Sequence, residues 1–95
     1  MLSLNSTVVA ASGQISCDLS GEAVILSLPD GVYYGLDPVG ARIWSLLQTP
    51  RRVRELLDTI LAEYDVAPAE CERDLLRILG ELESRHLIEQ RVDAA

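Results

Sequence analysis

Three side chains of this sequence belong to the types that most often act as nucleophiles, general bases or soft metal ligands: His86, Cys17 and Cys71. His86 is the only histidine and falls at a predicted helix end, where a surface role is more typical than that of a base for a nucleophile. One His and two widely spaced Cys residues cannot supply the ligands of an ordinary zinc site. Without a C-x-x-C pair, both cysteines are expected to be free, reduced thiols. We therefore predict no catalytic residue and no metal site.

Carboxylates are plentiful, but their spacing does not indicate a reaction. The chain has 15 acidic residues among 95, so chance pairs are unavoidable. Glu70, Glu72 and Asp74 are spread around one predicted helix rather than gathered for a cation. The segment 35–40 lacks the glycine spacing and the lysine of a phosphate-binding loop. No cofactor is predicted. The acidic side chains are interpreted as surface residues that favour solubility.

The charge distribution disfavours two large classes of partner. The formal net charge is −7, all eight basic residues are arginine, and residues 1–41 contain neither Lys nor Arg. Nucleic acids and anionic membrane surfaces both require a concentrated basic face. No apolar run approaches the roughly 20 residues of a membrane span, and the N-terminus lacks the pattern of a signal peptide. We therefore expect a cytoplasmic protein that binds neither nucleic acid nor membrane.

The elements that must position these side chains fit one small domain over residues 1–95, with strands in the first third and helices after it. This order predicts an α+β fold. Residues 22–28 form the strongest strand, and Pro29-Asp30-Gly31 predicts a turn into a returning strand, Val32–Leu36. The first strand is left open, as residues 7–11, residues 15–19 or one strand across both. Residues 91–95 are expected to be a loose tail.

Proline-containing caps mark the starts of three predicted helices. Asp37-Pro38 begins the first, which should stop near residue 48, and Thr49-Pro50 begins the second. Pro68 begins the third after Ala67, which is a poor capping residue, and this helix should end near residue 85 or 86. Apolar residues recur at helical spacing in each segment, so each helix should bury one face. Gly80 is expected to permit a close backbone approach within the third helix.

The predicted hairpin offers a device for recognition rather than for catalysis. Val32–Leu36 can form the edge of the sheet, where unpaired N–H and C=O groups would let an extended peptide add itself as a further strand. Tyr33, Tyr34 and a neighbouring helix could form side-chain pockets beside that edge. An equally good interpretation is that both tyrosines simply cover the core.

The residues that carry a family resemblance begin with the run Val-Tyr-Tyr-Gly-Leu-Asp-Pro-Val-Gly-Ala-Arg-Ile-Trp at positions 32–44. They continue with Glu-Tyr-Asp-Val at 63–66, Asp74-Leu75 and Leu87-Ile88. Over roughly residues 7–89 the chain resembles the PqqD-like family, which recognises the leader peptides of ribosomally made, modified peptides. The resemblance is strongest to the stand-alone forms of lasso peptide biosynthesis.

The resemblance implies a three-stranded antiparallel sheet followed by three helices, in a winged-helix-like arrangement. It also implies that a precursor's leader pairs with the third strand and lies in a groove between that strand and the third helix. Carried over by position, the implied peptide-binding residues are Val32, Tyr33, Tyr34, Gly35, Leu36, Glu70, Asp74, Arg77, Ile78 and Glu81. Asp74 matches an acidic position typical of the lasso forms.

By the same resemblance the domain catalyses nothing and holds the leader for a separate cysteine leader peptidase and a macrocyclase. Binding would raise the effective concentration of the precursor at those enzymes. Two positions depart from the family pattern. His86 stands where the family usually places Gly after the third helix, and Ala67 replaces a better cap.

Two further interpretations remain beside this one, and a small enzyme of unrecognised type is a third. A PqqD-like chaperone could serve a different peptide-modifying enzyme, since the leader-binding device is shared. A winged-helix DNA-binding regulator would need a basic recognition helix, yet the predicted helix over residues 68–85 has five acidic residues against three Arg.

Overall fold

The structure, a computed structural model, describes residues 2–12, 14–19, 22–27 and 31–91, with the side chains of residues 18 and 19 excepted. The described chain is an α+β fold. Its six strands are β1 (Thr7–Ala10), β2 (Gln14–Leu19), β3 (Glu22–Ser27), β4 (Val32–Leu36), β5 (Arg51–Arg52) and β6 (Ile88–Arg91). Its three helices are α1 (Pro38–Leu46), α2 (Val53–Glu63) and α3 (Pro68–Ser84).

Strands β2, β3 and β4 form an antiparallel meander in that order. Gly31 has φ of 66°, a conformation that favours glycine in turns, and donates its N–H to the Ser27 carbonyl at 2.7 Å where the chain enters β4. The other two residues of the predicted turn, Pro29 and Asp30, lie outside the described residues. The open question of the first strand is also answered, because residues 7–10 and 14–19 form two strands in different sheets.

A second three-stranded sheet, in the order β5-β1-β6, was not predicted. Val8 pairs with Arg51 on one side and with Gln90 on the other, so this sheet joins the start, middle and end of the chain. Such pairing leaves no local periodicity for sequence analysis to detect. Two expectations are therefore wrong. The chain has more than one sheet, and Arg91 belongs to β6 rather than to a loose tail, while residues 92–95 lie outside the described residues.

The predicted start of α2 is also corrected. The helix begins at Val53 rather than directly after Thr49-Pro50, because Arg51 and Arg52 are held in β5. The Glu55 side chain accepts a hydrogen bond from the Arg52 N–H at 3.1 Å and so satisfies one of the free donors of this helix end.

The caps of α1 and α3 differ as expected. The Asp37 carboxylate accepts from the Gly40 N–H at 2.8 Å and fixes the start of α1 directly after β4. Ala67 provides no side-chain bond at the start of α3. An exposed ion pair joins α1 to α2, with 2.8 Å between Arg42 Nη2 and a Glu63 carboxylate oxygen, and the bond from Arg42 lowers the pKa of Glu63.

One core unites both sheets and the three helices. Its fully buried side chains come from β1, β3 and every helix, and they include Val8, Ile25, Ile43, Leu56 and Leu79. The helices bury the apolar stripes that their spacing predicted. Helix α1 packs against β3 and β4 of the meander, and the edge at β4 faces α3 across a groove.

Candidate functional site

Strand β4 is an edge of the β2-β3-β4 sheet. Within the described residues it pairs with β3 alone, in a register that places Ile25 opposite Tyr34 and Val24 opposite Gly35. The backbone groups of an edge strand that point away from its neighbour are free to pair with another chain. This edge is the first component of the candidate site.

The register also separates the two tyrosines. Tyr34 is paired with the buried Ile25, so its side chain lies on the helix side of the sheet, where it is half-buried against the core. Tyr33 is paired with Leu26 on the opposite face and is 69% exposed. Neither sequence interpretation therefore holds for both residues, because only Tyr34 can line a pocket with a helix.

A groove of about 410 Å³ runs between β4 and α3, and we call it the β4–α3 groove. One wall is Tyr34, Gly35, Leu36, Asp37 and Gly40, and the facing wall is Arg77, Ile78, Glu81, Leu82 and Arg85. The strand edge and the groove lie side by side, so a peptide strand paired with β4 could place alternate side chains in the groove.

A smaller cavity of about 270 Å³ adjoins the groove, between α1, the end of α2 and the first half of α3, and we call it the apolar pocket. The two share Asp37, Arg77 and Ile78. Apolar side chains of the pocket come from Val39, Ile43, Ile60, Tyr64, Val66 and Leu75. The carboxylates of Asp37, Glu70 and Asp74 also line it, so the cavity combines an apolar lining with acidic groups.

The structure brings most of the predicted peptide-binding residues together. Tyr34, Gly35, Leu36, Arg77, Ile78 and Glu81 line the β4–α3 groove. Glu70 and Asp74 line the apolar pocket at the other end of α3. Val32 and Tyr33 are exposed along β4 and line neither cavity. They are positioned to contact a ligand only by its pairing with the strand.

Sequence analysis missed Arg85 as a site residue. Its guanidinium carbon lies 4.9 Å from the centre of the Tyr34 ring, and its Nη1 donates to the Tyr34 hydroxyl at 3.2 Å. Arg77, Glu81 and Arg85 follow one another at intervals of four residues, so extending the predicted stripe by one turn would have found it. Leu82 and Asp37, the latter predicted as the cap of the first helix, also line the groove.

The ionisable groups beside the site include an exposed ion pair and a buried thiol. Arg77 Nη1 lies 3.3 Å from a Glu81 carboxylate oxygen in an exposed ion pair on α3. Burial, together with the charge of Asp74, raises the pKa of Cys71, so this thiol stays protonated and is a poor nucleophile. Cys17 and Cys71 are both free thiols.

Among the residues that the structure describes, no three His, Cys, Asp or Glu side chains are grouped to hold a metal. No helix in the described part of the chain is long and apolar enough to cross a membrane.

Comparison with known proteins gives this geometry a family. The fold matches the solved structure of TbiB1 in complex with the TbiA(beta) leader peptide, with a TM-score of 0.81, 41% sequence identity, and coverage of 90% of this chain and 99% of that one. It also matches lasso peptide synthetase B1 complexed with the leader peptide, with a TM-score of 0.76, 18% identity, and coverage of 86% and 96%. No curated protein matches the sequence. The family model of coenzyme PQQ synthesis protein D (PqqD) matches residues 22–88. The resemblance found in the sequence is confirmed, and the chain belongs to the PqqD family.

Proposed function

We propose that this chain binds the leader peptide of a ribosomally synthesised precursor by adding it as a strand to β4. Residues 7–89 act as a single peptide-binding domain, and the leader's alternate side chains occupy the β4–α3 groove. The observation that carries the proposal is the open β4 edge lying directly beside that groove. The 41% identity to TbiB1, whose structure was solved with a leader peptide, supports this ligand class.

The geometry suits an extended peptide because affinity and specificity come from different groups. Backbone hydrogen bonds to β4 are independent of the ligand's sequence, whereas the groove contacts only every second ligand side chain. The apolar pocket, which shares lining residues with the groove, can accept a large apolar side chain from the same peptide. A peptide is therefore selected by a few side chains along its length.

In the pathway that we propose, the domain has no catalytic role. It delivers the bound precursor to a separate cysteine leader peptidase and to the macrocyclase of lasso peptide biosynthesis in the cytoplasm. Tethering the leader would raise the local concentration of the core peptide at those enzymes without any new contact to the core.

Proline substitution on β4 tests the strand-addition step. Successive N–H groups of a strand point to opposite neighbours, so of Tyr33 and Tyr34 one donates towards β3 and the other towards the open edge. We expect one of Tyr33→Pro and Tyr34→Pro to remain folded and to lose leader binding, because proline removes an edge donor. The other variant should be unstable, because it removes a bond within the sheet.

The measurement is fluorescence anisotropy with a labelled synthetic leader, with circular dichroism of each variant as the test of folding. Tyr33→Thr and Tyr34→Thr are the matched controls, since they change the side chain but keep the N–H and a strand-forming residue. Undiminished leader affinity in a folded proline variant at the edge-facing position would contradict strand addition. A folded wild-type chain that binds no leader would contradict the proposed function itself.

A further inference from the structure

Arg85 is placed at one end of the β4–α3 groove with most of its hydrogen-bonding capacity unused. A guanidinium has five N–H donors, and the described bond of this one is to the Tyr34 hydroxyl at 3.2 Å. In the part of the chain that the structure describes, the Arg85 guanidinium stacks on the Tyr34 ring and forms no ion pair with a carboxylate.

Tyr34 adds a second donor at the same point. Its hydroxyl oxygen accepts from Arg85, so its hydrogen is left to donate to another acceptor. The cation stacked on the ring and bonded to the hydroxyl holds both groups in a fixed relation. The Arg85 guanidinium and the Tyr34 hydroxyl thus place two kinds of hydrogen-bond donor at one end of the β4–α3 groove.

The remainder of the groove has a different charge. Arg77 is neutralised by Glu81, and the Asp37 carboxylate lies further along the groove towards the apolar pocket. That pocket is also lined by Glu70 and Asp74. A ligand carboxylate would meet like charge towards the pocket and an unpaired cation only at the Arg85 end.

We propose that Arg85 and the Tyr34 hydroxyl form a carboxylate subsite that binds an acidic side chain of the leader. This inference rests on the proposed function, because it assumes a peptide paired with β4. It identifies a specificity determinant, since a planar guanidinium binds a carboxylate through two parallel hydrogen bonds.

This subsite sets the register in which the leader pairs with β4. Backbone pairing with an edge strand is repetitive, and a slip by one residue moves every ligand side chain to the other face. A charged anchor at one end of the groove makes one register more favourable than its neighbours. The acidic groups at the other end disfavour the reversed placement of the same carboxylate.

A display selection tests the proposal and does not require the sequence of the cognate leader. A library of randomised TbiA(beta) leader peptides is selected on the wild-type chain, on Arg85→Glu and on Arg73→Glu, the last being a matched control on an exposed part of α3 outside the groove. We expect the wild type and the control to select Asp or Glu at one position. Arg85→Glu should select Lys or Arg at that same position.

A titration then separates recognition from a structural role. Replacing the selected acid by its amide should weaken binding to the wild type about fivefold to tenfold, with a smaller effect at high salt, and should not alter binding to Arg85→Gln. Tyr34→Phe should lose part of the effect. Equal losses in wild type and Arg85→Gln would overturn the subsite, as would the same preference in all three selections. A library with no enriched peptide on the folded wild type would instead contradict the proposed function.

Discussion

Replacing His86 by Gly should stabilise the protein, because His86 occupies a backbone conformation that favours glycine. Its φ is 61°, and among the described residues it is the one non-glycine residue with a positive φ. It follows Arg85, the C-terminal cap of α3. The His86 N–H donates to the Glu83 carbonyl at 3.0 Å, and the Leu87 N–H donates to the Leu82 carbonyl at 2.9 Å. These two bonds form a Schellman motif, which requires a left-handed residue at the position of His86.

The size of the effect follows from two opposing terms. A left-handed conformation costs an L-residue roughly 1–2 kcal/mol, although His tolerates it better than most. Glycine removes that strain. However, its greater conformational freedom in the unfolded chain lowers the free energy of unfolding by about 0.5–1 kcal/mol. The net expectation is a stabilisation of about 0.5–1 kcal/mol, which for a domain of this size raises the melting temperature by roughly 2–8 °C.

Thermal unfolding followed by circular dichroism measures this difference, and His86→Ala is the matched control. Alanine also removes the imidazole but retains the cost of the left-handed conformation, so it should melt at or below the wild type. If the Gly variant melts no higher than the Ala variant, the backbone explanation is wrong. The same result would remove the physical reason to expect glycine directly after the Arg85 cap of α3.

Two further predictions concern α3 and the thiols. Gly80→Ala should raise the free energy of chemical unfolding by about 1 kcal/mol, because an added Cβ meets nothing within 4 Å. Leader affinity should not change, because Gly80 does not line the groove. A loss of stability would indicate an unseen close contact. In the native protein a thiol reagent should label the exposed Cys17 rapidly and the buried Cys71 slowly, whereas both should react in denaturant. Equal rates in the native state would contradict the burial of Cys71.

The absence of a close neighbour at Gly80 also corrects the sequence expectation that this glycine permits a close backbone approach. The cost of Gly in a helix follows from the residue type, but the reason for its presence depends on what packs nearby. Nothing in the described structure explains it.

The candidate site was predictable where it depends on periodicity. The β4 strand and the helix that follows its Asp37 cap follow from local spacing, whereas Arg77, Ile78 and Glu81 on α3 were implied by the family resemblance. The four-residue spacing from Glu81 could have placed Arg85 on the groove side of α3, but its contact with Tyr34, which is 51 positions away in the chain, has no local signal. No local pattern indicates that these two residues meet.

The sequence by itself determined the strand Val32–Leu36 and the three amphipathic helices, because strand alternation and helical stripes act over a few residues, and its run at positions 32–44 indicated the family. The tertiary structure alone decided the second sheet, since pairing of Val8 with Arg51 and Gln90 depends on loop closure over most of the chain. It also decided which tyrosine faces α3. Register fixes side-chain faces, and it depends on how the pattern of one strand matches its partner and on the turn between them, here the pairing of Tyr34 with Ile25.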